Sequence, residues 1–210
     1  MGEMSKQLAE LAAYWNGVEE RIKATEQLRS ETVIPAINEL RYAGRMFVEA
    51  WAIQQNGAAT DTDTESFEEK IVIARQYLVN ADHDAIDAAL VYVYRNVKYA
   101  VKRYQPSKIQ AYIPDFLTML DKIEIFEAKI RESRKNRDLR NQIYREIIPH
   151  YNEMIALNIQ LDRAERHVLR REKIATYVTR ALAGLGVVGS IASIVGIALG
   201  WHSIMAFIAS

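Results

Sequence analysis

Residues 181–210 read ALAGLGVVGSIASIVGIALGWHSIMAFIAS, thirty positions without a formally charged side chain, His202 being the only one that could acquire a charge. Five of the nine glycines, Gly184, Gly186, Gly189, Gly196 and Gly200, fall here among Leu, Ile, Val and Ala. A hydrocarbon layer about 30 Å thick is crossed by roughly 20 apolar residues in a helix, so Ala181 to Trp201 is long enough for one transmembrane pass. The run therefore predicts where the rest of the chain is held.

Its flanks point the same way. Arg163, Arg166, Arg170, Arg171, Lys173 and Arg180 precede the run and no basic residue follows it. The positive-inside tendency then places the N-terminal part in the cytoplasm, in a single-pass cell-membrane protein resembling a tail-anchored one. Arg170, Arg171, Lys173 and Arg180 are expected to face the headgroups on one side, and Trp201 marks the far interface. Glycine contributes no hydrophobicity and costs a helix about 1 kcal/mol against alanine, so five are more than an anchor needs. Ala192, Gly196 and Gly200 recur at four-residue steps, as do Gly189 with Ser193 and Gly186 with Ser190. Small-residue faces of this kind let helices approach closely in lipid, which predicts homo-oligomers associating through this segment. The alternatives are a monomeric anchor and a re-entrant hairpin breaking near Gly189 or Gly200.

Upstream, Met154, Leu157, Leu161, Ala164, Val168, Arg171, Ala175, Val178 and Leu182 alternate steps of three and four, a heptad seam with Arg171 as its one violation. The seam either packs inside this chain's own bundle or pairs in a coiled coil. It reaches the apolar run without a breaker, and a continuous helix from His150 to Trp201 would be about 78 Å long. The chain thus divides into a cytoplasmic helical bundle (1–149), a basic heptad-bearing helix (150–180) and a glycine-rich transmembrane segment (181–210).

The fold class expected is all-α, a bundle of about six helices. Only four prolines and nine glycines occur in 210 residues, too few for a turn-rich β architecture. Leu8, Leu11, Trp15, Val18 and Ile22 set the period of a first helix, Lys6 to Arg29. Ser30 and Thr32 offer caps for a second, with Pro35 in its first turn and Asn56 and Gly57 at its end. Ala58 to Thr64 reads as a loop, and Thr62 with Glu65 has the form of a capping box. A third helix is expected to stop near Asn80 and a fourth to open at Asp82 and end at Pro106. A fifth carries Ile113 to Ile130, with Glu132 to Asp138 as a turn. The sixth starts near Leu139, and Pro149 should kink or split it.

Net charge is zero but segregated. From Glu49 to Asp87 nine acidic residues stand against Lys70 and Arg75, a net of −7. Lys129 to Arg145 holds seven basic residues against Glu132 and Asp138, and Arg163 to Arg180 six against Glu165 and Glu172. Either acidic and basic helices pack side by side, or a basic face meets anionic headgroups or nucleic acid. With no cysteine there is no disulfide framework or thiolate zinc site. Charges spread through the first thirty residues leave no apolar core for a secretory signal.

Chemistry-bearing patterns are sparse. Gly184, Gly186 and Gly189 spell G-x-G-x-x-G, yet no strand precedes them and no acidic residue follows about 20 positions on, as a dinucleotide site requires. No E-x-x-H and no G-x-S-x-G occurs, and four scattered histidines form no metal cluster. Tyr92, Tyr94, Tyr99 and Tyr104 interleave with Arg95, Lys98, Lys102 and Arg103, a pattern that can stack bases beside phosphate-binding cations, or else an ordinary helix surface with half-buried rings.

Arg145 and His150, four residues between them, resemble the R-x4-6-H pattern of HEPN ribonucleases, which are small helical bundles. The resemblance implies that this pair would act on RNA at a dimer interface. It covers six residues, with Glu146 where that family usually has Asn, Asp or His, and with Pro149 inside the motif.

Taken together, the sequence predicts a non-enzymatic, membrane-associated helical protein: an effector or channel-like assembly that self-associates through its C-terminal helix. Its expected partners are the bilayer, further copies of itself and a protein held by the bundle; no cofactor, metal or nucleic acid is expected. The alternatives are a scaffold localising a partner to the membrane and the HEPN-like ribonuclease.

Overall fold

The computed structural model describes residues 2–56, 60–166, 171 and 173–183. Among the described residues there are seven α-helices and no strand: α1 (Glu3–Arg29), α2 (Ile34–Gln55), α3 (Asp61–Arg103), α4 (Pro106–Gln110), α5 (Phe116–Lys135), α6 (Arg140–Ile147) and α7 (Tyr151–Ala164). Two 3-10 turns, Arg137–Leu139 and Ile148–His150, flank α6. Residues 173–183 are helical as well. By packing, the chain divides into two units, Met1–Leu161 and Asp162–Ser210.

The first unit is organised on α3, which has 43 residues and is therefore about 64 Å long. The expected break between Asn80 and Asp82 does not exist. No glycine or proline occurs between Asp61 and Arg103, and the polar side chains that look like caps bond sideways to other helices. Asn80 Nδ2 donates to Glu39 on α2 at 3.3 Å, and Asp82 pairs with Arg21 on α1.

Along its first half α3 packs on α1 and α2, burying Leu11, Val18 and Ile22 with Ala36, Ala43 and Ala50 against Phe67, Ala74 and Leu78. The alanines of α2 recur every seven residues and let its axis come close. Gly44 does the same on the neighbouring face, where a Cβ would stand 3.0 Å from the Trp15 ring. Along its second half α3 packs against α5, and Asn96 Nδ2 donates to Asn158 Oδ1 on α7 at 2.9 Å. Leu90, Val93 and Val97 are buried in this half, as are Phe116, Ile123, Ile147 and Met154. Each such fully buried side chain contributes about 1.5–3 kcal/mol of transfer free energy.

Several boundaries differ from the sequence expectation. Thr60, not Thr62, caps α3: its Oγ1 accepts the Asp63 N–H at 3.2 Å, and Asp63 Oδ2 accepts the Thr60 N–H at 3.2 Å. The sequence holds two overlapping boxes, and starting at the first adds two residues of helical hydrogen bonding. Thr60→Ala should therefore lower stability by about 1 kcal/mol while Thr62→Ala leaves it nearly unchanged, measured by urea denaturation. Ser30 does not cap α2. It ends α1 in the left-handed conformation, φ 53°, and Val33, the α2 N-cap, has its N–H bound by Glu26 Oε1 at 3.0 Å.

The charged segment expected to turn from Glu132 stays helical to Lys135, because Arg131 pairs with Glu127 and Arg134 with Asp87. Pro106 opens the separate helix α4. Pro149 lies in the 3-10 turn that splits α6 from α7, since it has no N–H to continue the α-ladder. Of the heptad seam, Met154, Leu157 and Leu161 are buried in the first unit.

In the second unit, Asp162 and Arg166 form an i,i+4 pair. The helical residues 173–183 expose Ile174, Tyr177, Val178 and Leu182, each more than half accessible. No helix among the described residues is long and apolar enough to cross a membrane. The transmembrane expectation covers residues 181–210, of which all but 181–183 lie outside the described residues.

Candidate functional site

The middle of α3 carries the sequence ADHDAID, residues 81–87, and folds it into the most polar part of the first unit's interior. An α-helix turns about 100° per residue, so Asp82 faces α1 while His83 and Asp84 meet Tyr144 and Arg140 of α6. Asp82 is buried and faces α1, where the Arg21 Nε–H binds Asp82 Oδ1. Desolvation raises the Asp82 pKa above the usual carboxylate value, and the Arg21 guanidinium opposes it by holding the charged form. Arg21 in turn lies over the Tyr151 ring, 5.9 Å from its centroid.

Tyr151 ties α7 to α1. Its hydroxyl donates to the Arg21 carbonyl at 3.0 Å and lies 2.6 Å from Thr25 Oγ1. Thr25 is fully buried, and its Oγ1 also lies 3.3 Å from the Ala85 carbonyl of α3. Burial raises the Tyr151 pKa, so the phenol stays protonated and the contact acts as a neutral hydrogen bond.

On another side of α3, Asp84 receives Arg140 Nη2 at 3.4 Å, and Asp87 receives Arg134 Nη2 at 3.1 Å together with the Tyr144 hydroxyl. Arg134 and Arg140 both come from the basic stretch Lys129 to Arg145, so part of the charge segregation along the chain is met inside this fold. Burial raises the Asp84 pKa against the pull of Arg140. Tyr144 is pushed up by burial and by the Asp87 carboxylate.

His83 completes the group. It is 4% exposed, its ring stacks on Tyr144 at 3.8 Å between centroids, and its Nδ1 has no hydrogen-bond partner among the described residues. Desolvation, with Arg140 nearby, lowers its pKa from 6.5 to about 4, so it is neutral at pH 7. The network thus combines a buried ion pair, a neutral imidazole stacked on a phenol and two carboxylates capped by arginines. It can hold five helices, α1, α3, α5, α6 and α7, in register. A proton-transfer role would need a substrate path to His83, and the pocket that opens beside the network is not lined by His83.

Sequence reasoning did not single out this network. Its members are up to 130 residues apart, as for Tyr151 and Arg21, and Asp82 reads locally as a cap. The available signal was the missing breaker between Asp61 and Arg103 together with Asp84 and Asp87 one helical turn apart.

The residues that the sequence did single out lie elsewhere. Arg145 is on α6 and exposed; His150 is half-buried in the turn after it, with Nδ1 3.0 Å from Glu153 Oε2 and its ring 5.5 Å from Phe126. Arg171 and Arg180 are helical and exposed, and Lys173 is half-buried. Gly186, Gly189, Ser190, Ala192, Ser193, Gly196, Gly200, Arg170 and Trp201 lie outside the described residues. Among the described residues no group of three or more acidic or histidine side chains is placed to hold a metal ion.

Compared with known proteins, the chain matches no family model, no curated protein and no solved structure.

Proposed function

We propose that this is a non-enzymatic, membrane-associated effector: a cytoplasmic helical bundle whose C-terminal segment inserts into the cell membrane and self-associates there. The observation that carries the reading is the uncharged run from Ala181 to Ser210 behind six basic residues. Transferring such a run from water to lipid is favoured by its apolar area, while Arg171 and Arg180 keep their charges at the headgroups. The exposed Ile174, Tyr177, Val178 and Leu182 support it, because apolar side chains already face outward on the helical residues leading into the run. Gly186, Gly189, Ser190, Ala192, Ser193, Gly196 and Gly200 supply the close-packing faces, and assembly through them perturbs the bilayer.

The test has two parts. Full-length protein should stay with membranes through a carbonate wash, and a chain ending at residue 183 should be released. In dye-loaded liposomes the full chain should cause leakage that the Gly196→Leu/Gly200→Leu double variant loses. Release of the full chain by carbonate overturns the reading. Retention without leakage replaces the effector by a membrane-bound scaffold that localises a partner.

A further inference from the structure

A cleft of about 510 Å³ opens beside the polar network, between one face of α3, the connection from α1 to α2, and the end of α5. Small-molecule sites typically have volumes of about 300–1,000 Å³. α3 contributes Asp84, Asp87, Val91, Tyr92 and Arg95, spacings of three, four, one and three residues that keep them on one side of the helix. Acidic groups stand at one end of this face and a guanidinium at the other, with apolar and aromatic surface between. At 1.5 Å per residue the Cα atoms of Asp84 and Arg95 are about 16 Å apart.

The partners of the charged groups decide what the cleft can take. Arg29 is held by Glu31 at 2.7 Å and Arg134 by Asp87 at 3.1 Å. Arg95 has no ion-pair or hydrogen-bond partner among the described residues, although Lys98 and Arg103 on the same helix are engaged, by Glu124 and by the Tyr99 hydroxyl. At the other end, Asp84 has a single bond among the described residues, from Arg140 at 3.4 Å, and an ionised carboxylate can accept about four. Between them Tyr92 is half-buried, and Val91 and Ile34 are exposed, so the middle of the cleft offers a ring beside apolar surface. The cleft therefore takes up the Tyr92 and Arg95 members of the interleaved tyrosine and basic pattern.

We propose that this cleft binds a nucleotide, a small anionic molecule built on an amine-bearing ring, with the anion on Arg95, the ring against Tyr92 and the amine donating to Asp84. Arg95 supplies a charge-assisted contact with planar donors suited to a phosphate. Tyr92 supplies a stacking surface that every base can use. Asp84 distinguishes an amine donor from a carbonyl acceptor at the ring edge. The inference stands on the first unit alone and does not depend on the membrane reading.

Titration calorimetry with AMP on the full-length protein tests it. AMP should bind. Adenosine, which lacks the anion, and ribose 5-phosphate, which lacks the ring, should each bind at least about tenfold more weakly. Arg95→Gln should reduce AMP binding to the level of adenosine without changing the affinity for adenosine itself. Arg95 is exposed, so the variant should fold, which circular dichroism checks; Val48→Ser, on α2 outside the cleft, should bind AMP as the wild type does. Absence of AMP binding, or equal AMP binding by the wild type and Arg95→Gln, overturns the proposal.

Discussion

Arg21→Met should lower the unfolding free energy by about 3–5 kcal/mol at pH 7, among the largest effects of any single substitution in the bundle. Its partner is the reason. The Asp82 side chain is 3% exposed, and Arg21 is the group that compensates its charge. Methionine keeps most of the aliphatic stem but leaves a carboxylate without a counter-charge or water. The fold must then keep an unpaired anion or take up a proton there. Arg21→Met/Asp82→Leu should recover most of the loss, since replacing both members removes the desolvation cost along with the attraction. The measurement is chemical denaturation of both variants at fixed pH. A loss under about 1 kcal/mol for the single variant would mean that water reaches Asp82 in the folded protein, which its burial argues against.

The second large effect is the dependence on pH set by His83. Its pKa falls from 6.5 to about 4 on folding, mainly by desolvation and secondarily through Arg140. A folded pKa below the unfolded one means that the unfolded chain binds the extra proton throughout that interval. Stability is therefore complete above about pH 6.5, declines as the pH falls towards 4, and gains no further loss from this group below that. At 1.36 kcal/mol per pH unit the interval corresponds to about 3 kcal/mol. Asp82 and Asp84 act with the opposite sign just above their usual carboxylate range, because burial raises both and the folded state then holds more protons. The wild-type curve combines these contributions, and the difference from His83→Leu isolates the histidine. That variant should show a shallower fall in stability between pH 6.5 and 4 and should not be less stable at pH 7, where it removes an unpartnered Nδ1. Parallel curves for the two proteins would show that His83 takes up no extra proton on unfolding.

The sequence shows helices wherever apolar residues repeat on one side. Leu8, Leu11, Val18 and Ile22 announce α1 and are all buried in it. It misleads where polar residues carry two meanings. Asp82 and Thr62 have the chemistry of caps, but the chain uses Thr60 for that purpose and places Asp82 against Arg21, 61 residues away. Local pattern cannot separate a carboxylate that ends a helix from one that crosses to a neighbour. His83 shows the same limit, since its surroundings come from Tyr144 and Arg140 on or at the start of α6. The cleft was half legible: Tyr92 and Arg95 stand out as an aromatic and a base at helical spacing, whereas the distinction between engaged and free cations exists only in three dimensions.

The continuity of α3 has a mechanical consequence. A rod without a breaker that forms part of two successive cores transmits bending and twist from one to the other, because a mid-rod hinge would have to break consecutive backbone hydrogen bonds around residues 80–87. There the lateral ties to Arg21, Arg134 and Arg140 clamp it as well. The two cores cannot soften separately, and a strain applied at either end of the strut is felt along its whole length.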